Sequence, residues 1–206
     1  MASGKPSKPR KKSLASQIVQ MAVRVNTVRA LAQRSRISGN LIGLDLSLVN
    51  TGVIVLTEQG SLLRHNSLSF PLKRKRSDPP ITEGERIERL INLTNVIVGI
   101  AKDYKVKHAA IEGYAHNKRY QAHQLGEIAG NVKVQLWLAC KIIAVPVPPP
   151  TGRKHMFGYG HPSKTEILEI LRSAGIAVDN DHEADAYVVA HYLFDQMAYE
   201  RKGLLI

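Results

Sequence analysis

Ile42-Gly-Leu-Asp45-Leu-Ser-Leu-Val-Asn-Thr-Gly52-Val-Ile-Val-Leu56 is the stretch on which the fold turns. Two apolar runs, residues 41–47 and 52–57, flank a short polar turn, and the second is rich in the β-branched residues that suit a buried strand. Asp45 stands inside the first run, between Leu44 and Leu46. An unpartnered carboxylate buried in a strand is costly. Asp45 is therefore either a salt-bridged or partly exposed strand acid, or a metal ligand at the centre of a sheet.

Working outward, Glu58-Gln-Gly60 makes a turn and residues 61–70 alternate weakly as a third strand, which completes an antiparallel meander. Residues 71–81 read as a loop. Thr82 and Glu85 form a capping box for a helix over 82–105, with an inner stripe of Ile87, Leu90, Ile91, Thr94, Ile97, Val98 and Ala101. A short strand over 106–111 ends at Glu112. A second helix, 119–139, presents Leu125, Ile128, Ala129, Val132, Leu136 and Ala139 on one face. Residues 142–147 are a fifth strand that the proline run stops, a Gly-, His- and cation-bearing loop extends to Gly160, and helices follow over 163–174 and 181–199. The order β-β-β-α-β-α-β-α-α describes an α/β fold, a mixed five-stranded sheet flanked by helices.

Charge divides the chain in two. The 206 residues carry 29 Lys+Arg against 17 Asp+Glu, net +12. Residues 1–40 hold nine of the cations and no acid, leaving a body, residues 41–206, with 20 cations and 17 acids. The leader reads as a basic tail over 1–13 followed by an amphipathic helix over 14–35 (Leu14, Ile18, Met21, Val25, Val28, Leu31), an extension over 1–40 to a globular domain over 41–206. Such a balance favours a polyanionic partner, nucleic acid before an anionic membrane. The single cysteine, Cys140, excludes a disulfide framework and a cysteine zinc finger, and no apolar run is long enough to span a bilayer.

The acids are few, so their places are informative. Glu112 closes a strand, where it is either an ordinary exposed acid or a ligand at a switch point of the sheet. Asp181, His182 and Asp185 open the last helix. Asp181 suits an N-cap. Asp185 leads the apolar stripe Val188, Val189 and Tyr192 and needs a partner. Oxygen donors with one imidazole suit Mg²⁺ or Mn²⁺, and two such ions serve phosphodiester hydrolysis.

Four stretches in order, Ile42-Gly-Leu-Asp45 through Gly52, Ala110-Ile-Glu112, Ala122-His-Gln-Leu-Gly126-Glu-Ile-Ala-Gly130 and His182-Glu-Ala-Asp185-Ala, resemble the RuvC-type Holliday junction resolvases, which have the ribonuclease H-like fold. The likeness covers about residues 41–195 and omits the leader. It implies a structure-selective DNA endonuclease that cuts four-way junctions in pairs. It also implies a homodimer, with two Mg²⁺ or Mn²⁺ per site, and a catalytic, metal-holding tetrad of Asp45, Glu112, His182 and Asp185, with Asp181 in reserve.

The same likeness places Tyr114, Lys118, Arg119 and Tyr120 near the junction centre and makes Lys164 the cation at the scissile region. Arg153 and Lys154 join them as DNA-contacting candidates. Lys73, Arg74, Lys75 and Arg76 are either a DNA-contacting or a solvated charge run. Gly126 and Gly130 fit either a dimer-forming helix or close helix-to-sheet packing. Trp137 and Cys140 read as packing, and His65, His108 and His123 as structural or surface residues. The expected location is the cytoplasm of a bacterial or phage-infected cell, or an organelle if the leader is a transit peptide. The competing readings are another ribonuclease H-fold nuclease acting on RNA–DNA hybrids or branched DNA, and a non-catalytic junction-binding protein.

Overall fold

The computed structural model describes residues 13–47, 49–70, 81–113 and 122–201. Helix α1 (Leu14–Ala32) leads into the meander β1 (Asn40–Asp45), β2 (Asn50–Leu56) and β3 (Leu62–Ser69). There follow α2 (Glu83–Asp103), β4 (Val106–Glu112), α3 (Ala122–Cys140), β5 (Ala144–Val147), α4 (Pro149–Phe157), α5 (Lys164–Ser173) and α6 (Asp181–Arg201). The strands lie in the order β3-β2-β1-β4-β5. β1 runs antiparallel to β2 and parallel to β4, so the sheet changes sense at β1 and the carboxyl ends of β1 and β4 lie side by side. Ligands gather at such a switch point, and Asp45 and Glu112 are the last residues of these two strands.

Both faces of the sheet are covered. Ile42, Leu44, Val53 and Val55 meet α2 and α3 through Leu93, Ile97, Val132 and Leu136. Leu41, Ile54 and Leu56 belong to the opposite layer with α6, α5, α4 and α1. Because β1 is buried on both faces, its residues form a continuous apolar run instead of an alternating one. α6 lies between the sheet and the outer helices and is buried nearly all round. Met21, Ala22, Val25 and Ala32 of α1 join this same core, and Arg29 donates to the Ala174 carbonyl at 3.1 Å. Leu14 and Leu31, expected in the inner stripe of that helix, are exposed.

Two glycines let α6 approach the sheet. A Cβ on Gly43 would stand 2.4 Å from the Ala186 carbonyl oxygen, and one on Gly52 only 2.0 Å from that of His182. The obstacles are backbone, so they cannot rotate aside. Gly52→Ala is expected to cost at least about 3 kcal/mol in a urea melt, beyond ordinary overpacking, and to move the start of α6 away from Asp45. A melt within 1 kcal/mol of the parent, taken as roughly the cost of a tolerated core swap, would show that the helix has room to shift.

The structure corrects the sequence reading in three places. The expected loop after β5 contains α4, whose prolines occupy the first helical positions, where no hydrogen bond from the peptide nitrogen is needed; Lys154 and His155 sit in its last turn, where cations suit the dipole. The buried stripe of α2 is Leu93, Thr94, Ile97, Ile100 and Ala101, whereas Ile87 and Ile91 face outward. Apolar residues occur on both sides of that helix, so spacing alone could not choose the face. Among the described residues nothing lies within 4 Å of a Cβ built on Gly126 or Gly130, so these glycines do not serve close packing of the helix on the sheet. The capping boxes of Thr82 with Glu85 and Ser163 with Glu166 both form.

Candidate active site

Three elements bring three carboxylates together. Asp45 ends β1, Glu112 ends β4 and Asp185 stands one turn into α6, and one carboxylate oxygen from each lies within 4.8 Å of the others. Asp45 and Asp185 are buried and Glu112 is half-buried. The close approach of α6 to Gly43 and Gly52 is what carries Asp185 and His182 to the strand ends. His182 Nδ1 lies 2.7 Å from Asp45 Oδ2, so the histidine is in contact with the trio through Asp45.

Two cations complete the surroundings. Arg153 of α4 donates from Nη2 to Asp185 Oδ1 at 2.9 Å and lies 3.6 Å from Glu112 Oε1. Lys164, the first residue of α5, donates to Asp181 Oδ2 at 3.0 Å and lies 3.5 Å from Asp185 Oδ2. Arg153, expected among the DNA-contacting cations, therefore sits within the carboxylate group, with only 18% of its side chain exposed. Sequence reasoning missed this placement because it missed α4; the proline run that reads as a strand stop is also a helix-start signal. Asp181 is half-buried and tied to Lys164, outside the trio. Lys154 is exposed at the end of α4. Tyr114, Lys118, Arg119, Tyr120, Lys73, Arg74, Lys75 and Arg76 lie outside the described residues.

The electrostatics are those of a site built to hold positive charge. Burial, then the neighbouring charges of Asp45 and Asp185, push the Glu112 carboxyl up to about 9. Burial also raises Asp185, aided by Asp45 and opposed by Arg153 and Lys164. The Asp45 hydrogen bond raises His182 against its partial burial. For Lys164, burial works downward, but the bond to Asp181 and the charges of Asp185 and Asp45 outweigh it and raise the amine. Asp185 Oδ2 is buried without a hydrogen-bond partner among the described residues, although such an atom ordinarily has one. Crowded, proton-retaining carboxylates with an unused oxygen are a donor set suited to a hard divalent cation.

A second group, His65, Asp179 and Glu183, also brings three donor atoms within 4.8 Å. Its donors are already engaged: Glu183 accepts from His65 at 2.9 Å, from the Asp179 amide at 2.9 Å and from Asn180 Nδ2 at 3.2 Å. It secures the entry to α6, in line with the structural reading of His65. Trp137, read as packing, is instead 48% exposed and faces Lys141, while Cys140 packs against the core.

Known proteins resemble the chain in sequence and in fold. The chain is 25% identical over 155 residues to the crossover junction endodeoxyribonuclease RuvC of Rickettsia bellii, covering 73% of this chain and 94% of that protein. It superposes on the RuvC structure of Thermus thermophilus with a TM-score of 0.61 at 20% identity, over 80% of this chain and 97% of that one. The yeast mitochondrial Holliday junction resolvase superposes with a TM-score of 0.57 at 12% identity, over 93% of this chain and 96% of that one. No protein-family model matches. The fold is the RuvC, ribonuclease H-like fold, and the sequence resemblance to RuvC-type resolvases holds.

Proposed function

We propose that this chain is a divalent-metal endonuclease that resolves four-way DNA junctions as a homodimer. The observation that carries the reading is the convergence of Asp45, Glu112 and Asp185 at the switch point of the sheet. These three, with His182 beside Asp45, would hold Mg²⁺ or Mn²⁺, two per site. When bound, such ions supply an activated water and charge stabilisation at the attacking and leaving oxygens of a phosphodiester. Asp185 Oδ2, buried and without a hydrogen-bond partner among the described residues, fits that role.

The chain's own groups do the rest. Arg153 holds Asp185 and steadies Glu112 from one side. Lys164 stands at the amino end of α5, where its charge and the helix dipole together receive a phosphate. His182 is held through Nδ1 by Asp45; when protonated it would give the proton on its other ring nitrogen to the departing 3′ oxygen. The products carry a 5′-phosphate and a 3′-hydroxyl. Exposed Ile87 and Ile91 on α2 and Val134, Trp137 and Leu138 on α3 support pairing of two copies through these helices.

Synthetic four-way junctions incubated with Mg²⁺, with the nicks mapped, test the whole reading. Two symmetric nicks are expected. Cleavage of RNA–DNA hybrids with intact junctions would replace it with the ribonuclease H-type alternative.

Among the described residues no helix is long and apolar enough to cross a membrane. The cationic leader is proposed to add phosphate contacts. Removing residues 1–12 takes away five cations and leaves α1 in the core. The plot of log affinity against log salt should flatten by up to about 4.5 units, at about 0.9 per phosphate neutralised. An unchanged slope would leave the leader as a targeting or spacer segment.

A further inference from the structure

A cleft between the amino-terminal halves of α2 and α3 opens near the carboxyl end of β1 and encloses about 330 Å³. Its floor is apolar, formed by Leu90, Leu93 and Ile128, and its rim bears Ile81, Arg89, Gln124 and the ion pair of Arg86 with Glu127. Ser47, two residues beyond Asp45, also lines it. The carboxylates lie on the α6 side of the sheet edge and the cleft on the α2–α3 side.

The two arginines differ. Arg86 is held by Glu83 at 3.0 Å and Glu127 at 2.7 Å. Arg89 has no hydrogen bond or ion pair with any described residue, and its partial burial lowers its pKa. A guanidinium partly withdrawn from water beside an apolar floor fits a ligand that is anionic at one end and flat and apolar-faced at the other.

We propose that this cleft seats one unstacked nucleotide of the strand being cut, its base between α2 and α3 and its phosphate on Arg89. The inference rests on the endonuclease reading above and names the specificity element for it. Two extended residues, Asp45 to Ser47, reach about 7 Å, so the mouth of the cleft at Ser47 lies close to the carboxylates and the seated nucleotide is a near neighbour of the scissile phosphate. A duplex is too wide for the cleft, whereas a branch point offers nucleotides whose unstacking costs least. Ser47 Oγ is occupied, donating to the Asn50 carbonyl and accepting from the Asn50 amide, so it does not read the base. The Gln124 amide has both a donor and an acceptor for a base edge, and Arg89 can stack on the base plane or hold its phosphate.

The test is single-turnover cleavage by the full chain of junctions that differ only in the base at each position within two nucleotides of the cut. The parent is expected to show rates spread about tenfold or more across the four bases at one such position, the discrimination of a well-made base contact. Gln124→Ala should compress that spread to below about threefold. Arg89→Ala should slow all four junctions alike, and Ile128→Trp, which fills the cleft, should remove the preference as well. Unchanged melting temperatures would confirm that the variants are folded. Junctions cut with no base preference at any of these positions, or with the parent's preference kept by both Gln124→Ala and Ile128→Trp, would overturn the proposal while leaving the endonuclease reading intact. Failure to cut any junction would overturn both.

Discussion

Asp185→Asn should cut a four-way junction at least about 10³-fold more slowly than the parent while binding it within about threefold, because divalent-ion catalysis supplies several kcal/mol and each 1.36 kcal/mol is a factor of ten. Asp185 is the trio's innermost member, with 2% of its side chain exposed, and it is the residue both Arg153 and Lys164 face. Neutralising it removes a carboxylate oxygen that has no hydrogen-bond partner among the described residues, so the loss falls on cation holding. Junction affinity depends instead on neutralising phosphates, to which a buried acid contributes little. Binding measured in EDTA and cleavage measured in Mg²⁺ separate the two. Asp181→Asn is the control: its carboxylate is only half-buried and stands outside the trio, so a loss of less than about tenfold is expected, in keeping with a solvent-accessible ion pair to Lys164. Loss of binding in step with cleavage for Asp185→Asn would count against the assignment, and a loss in Asp181→Asn as deep as in Asp185→Asn would make Asp181 the completing carboxylate.

The second large effect is on stability. Without divalent cations the chain should lose stability as pH rises from 5 to 9, and Glu112→Gln should remove much of that slope. Glu112 is pushed to about 9 in the folded chain, against 4.5 as the ordinary value. Between those limits the folded state keeps a proton that the unfolded state has released, so the contribution is full below the unfolded value and fades as pH climbs through the folded one. Raised His182 and Asp185 act in the same direction, and the difference between parent and variant isolates Glu112. At pH 8 the variant should be more stable by a few kcal/mol, on the order of 5–10 °C in Tm for a chain of this size. Mg²⁺ should restore the parent at that pH with release of protons, since a carboxylate must ionise to bind a cation, and should help Glu112→Gln much less. Parallel pH profiles for the two proteins would refute the account.

How much of this was legible beforehand depends on the kind of signal. The meander and the ends of β1 and β4 could be read because strand propensity, turn residues and a lone Asp in an apolar run are local features. The acids of α6 could be read because a helix start is local too. Facing was not legible where a helix has apolar residues on two sides: α2 turns Ile87 and Ile91 outward although they fit its stripe, and Trp137 of α3 is exposed. α4 was hidden because Pro148, Pro149 and Pro150 send the same local signal as a strand stop.

The sequence by itself determined the element order around Asp45, the four residues Asp45, Glu112, His182 and Asp185, and the separation of a basic leader from a nearly neutral body. Only the tertiary structure decided what those residues are to one another. Asp45, Glu112 and Asp185 are separated by long stretches of chain, and they meet because a parallel β1–β4 pair aligns two strand ends and two glycines admit α6 between sheet and helices. The same packing set Arg153, expected among the DNA-contacting cations, against Asp185 and Glu112. Distances between remote residues are set by burial and backbone clearance, and neither is written in local propensity.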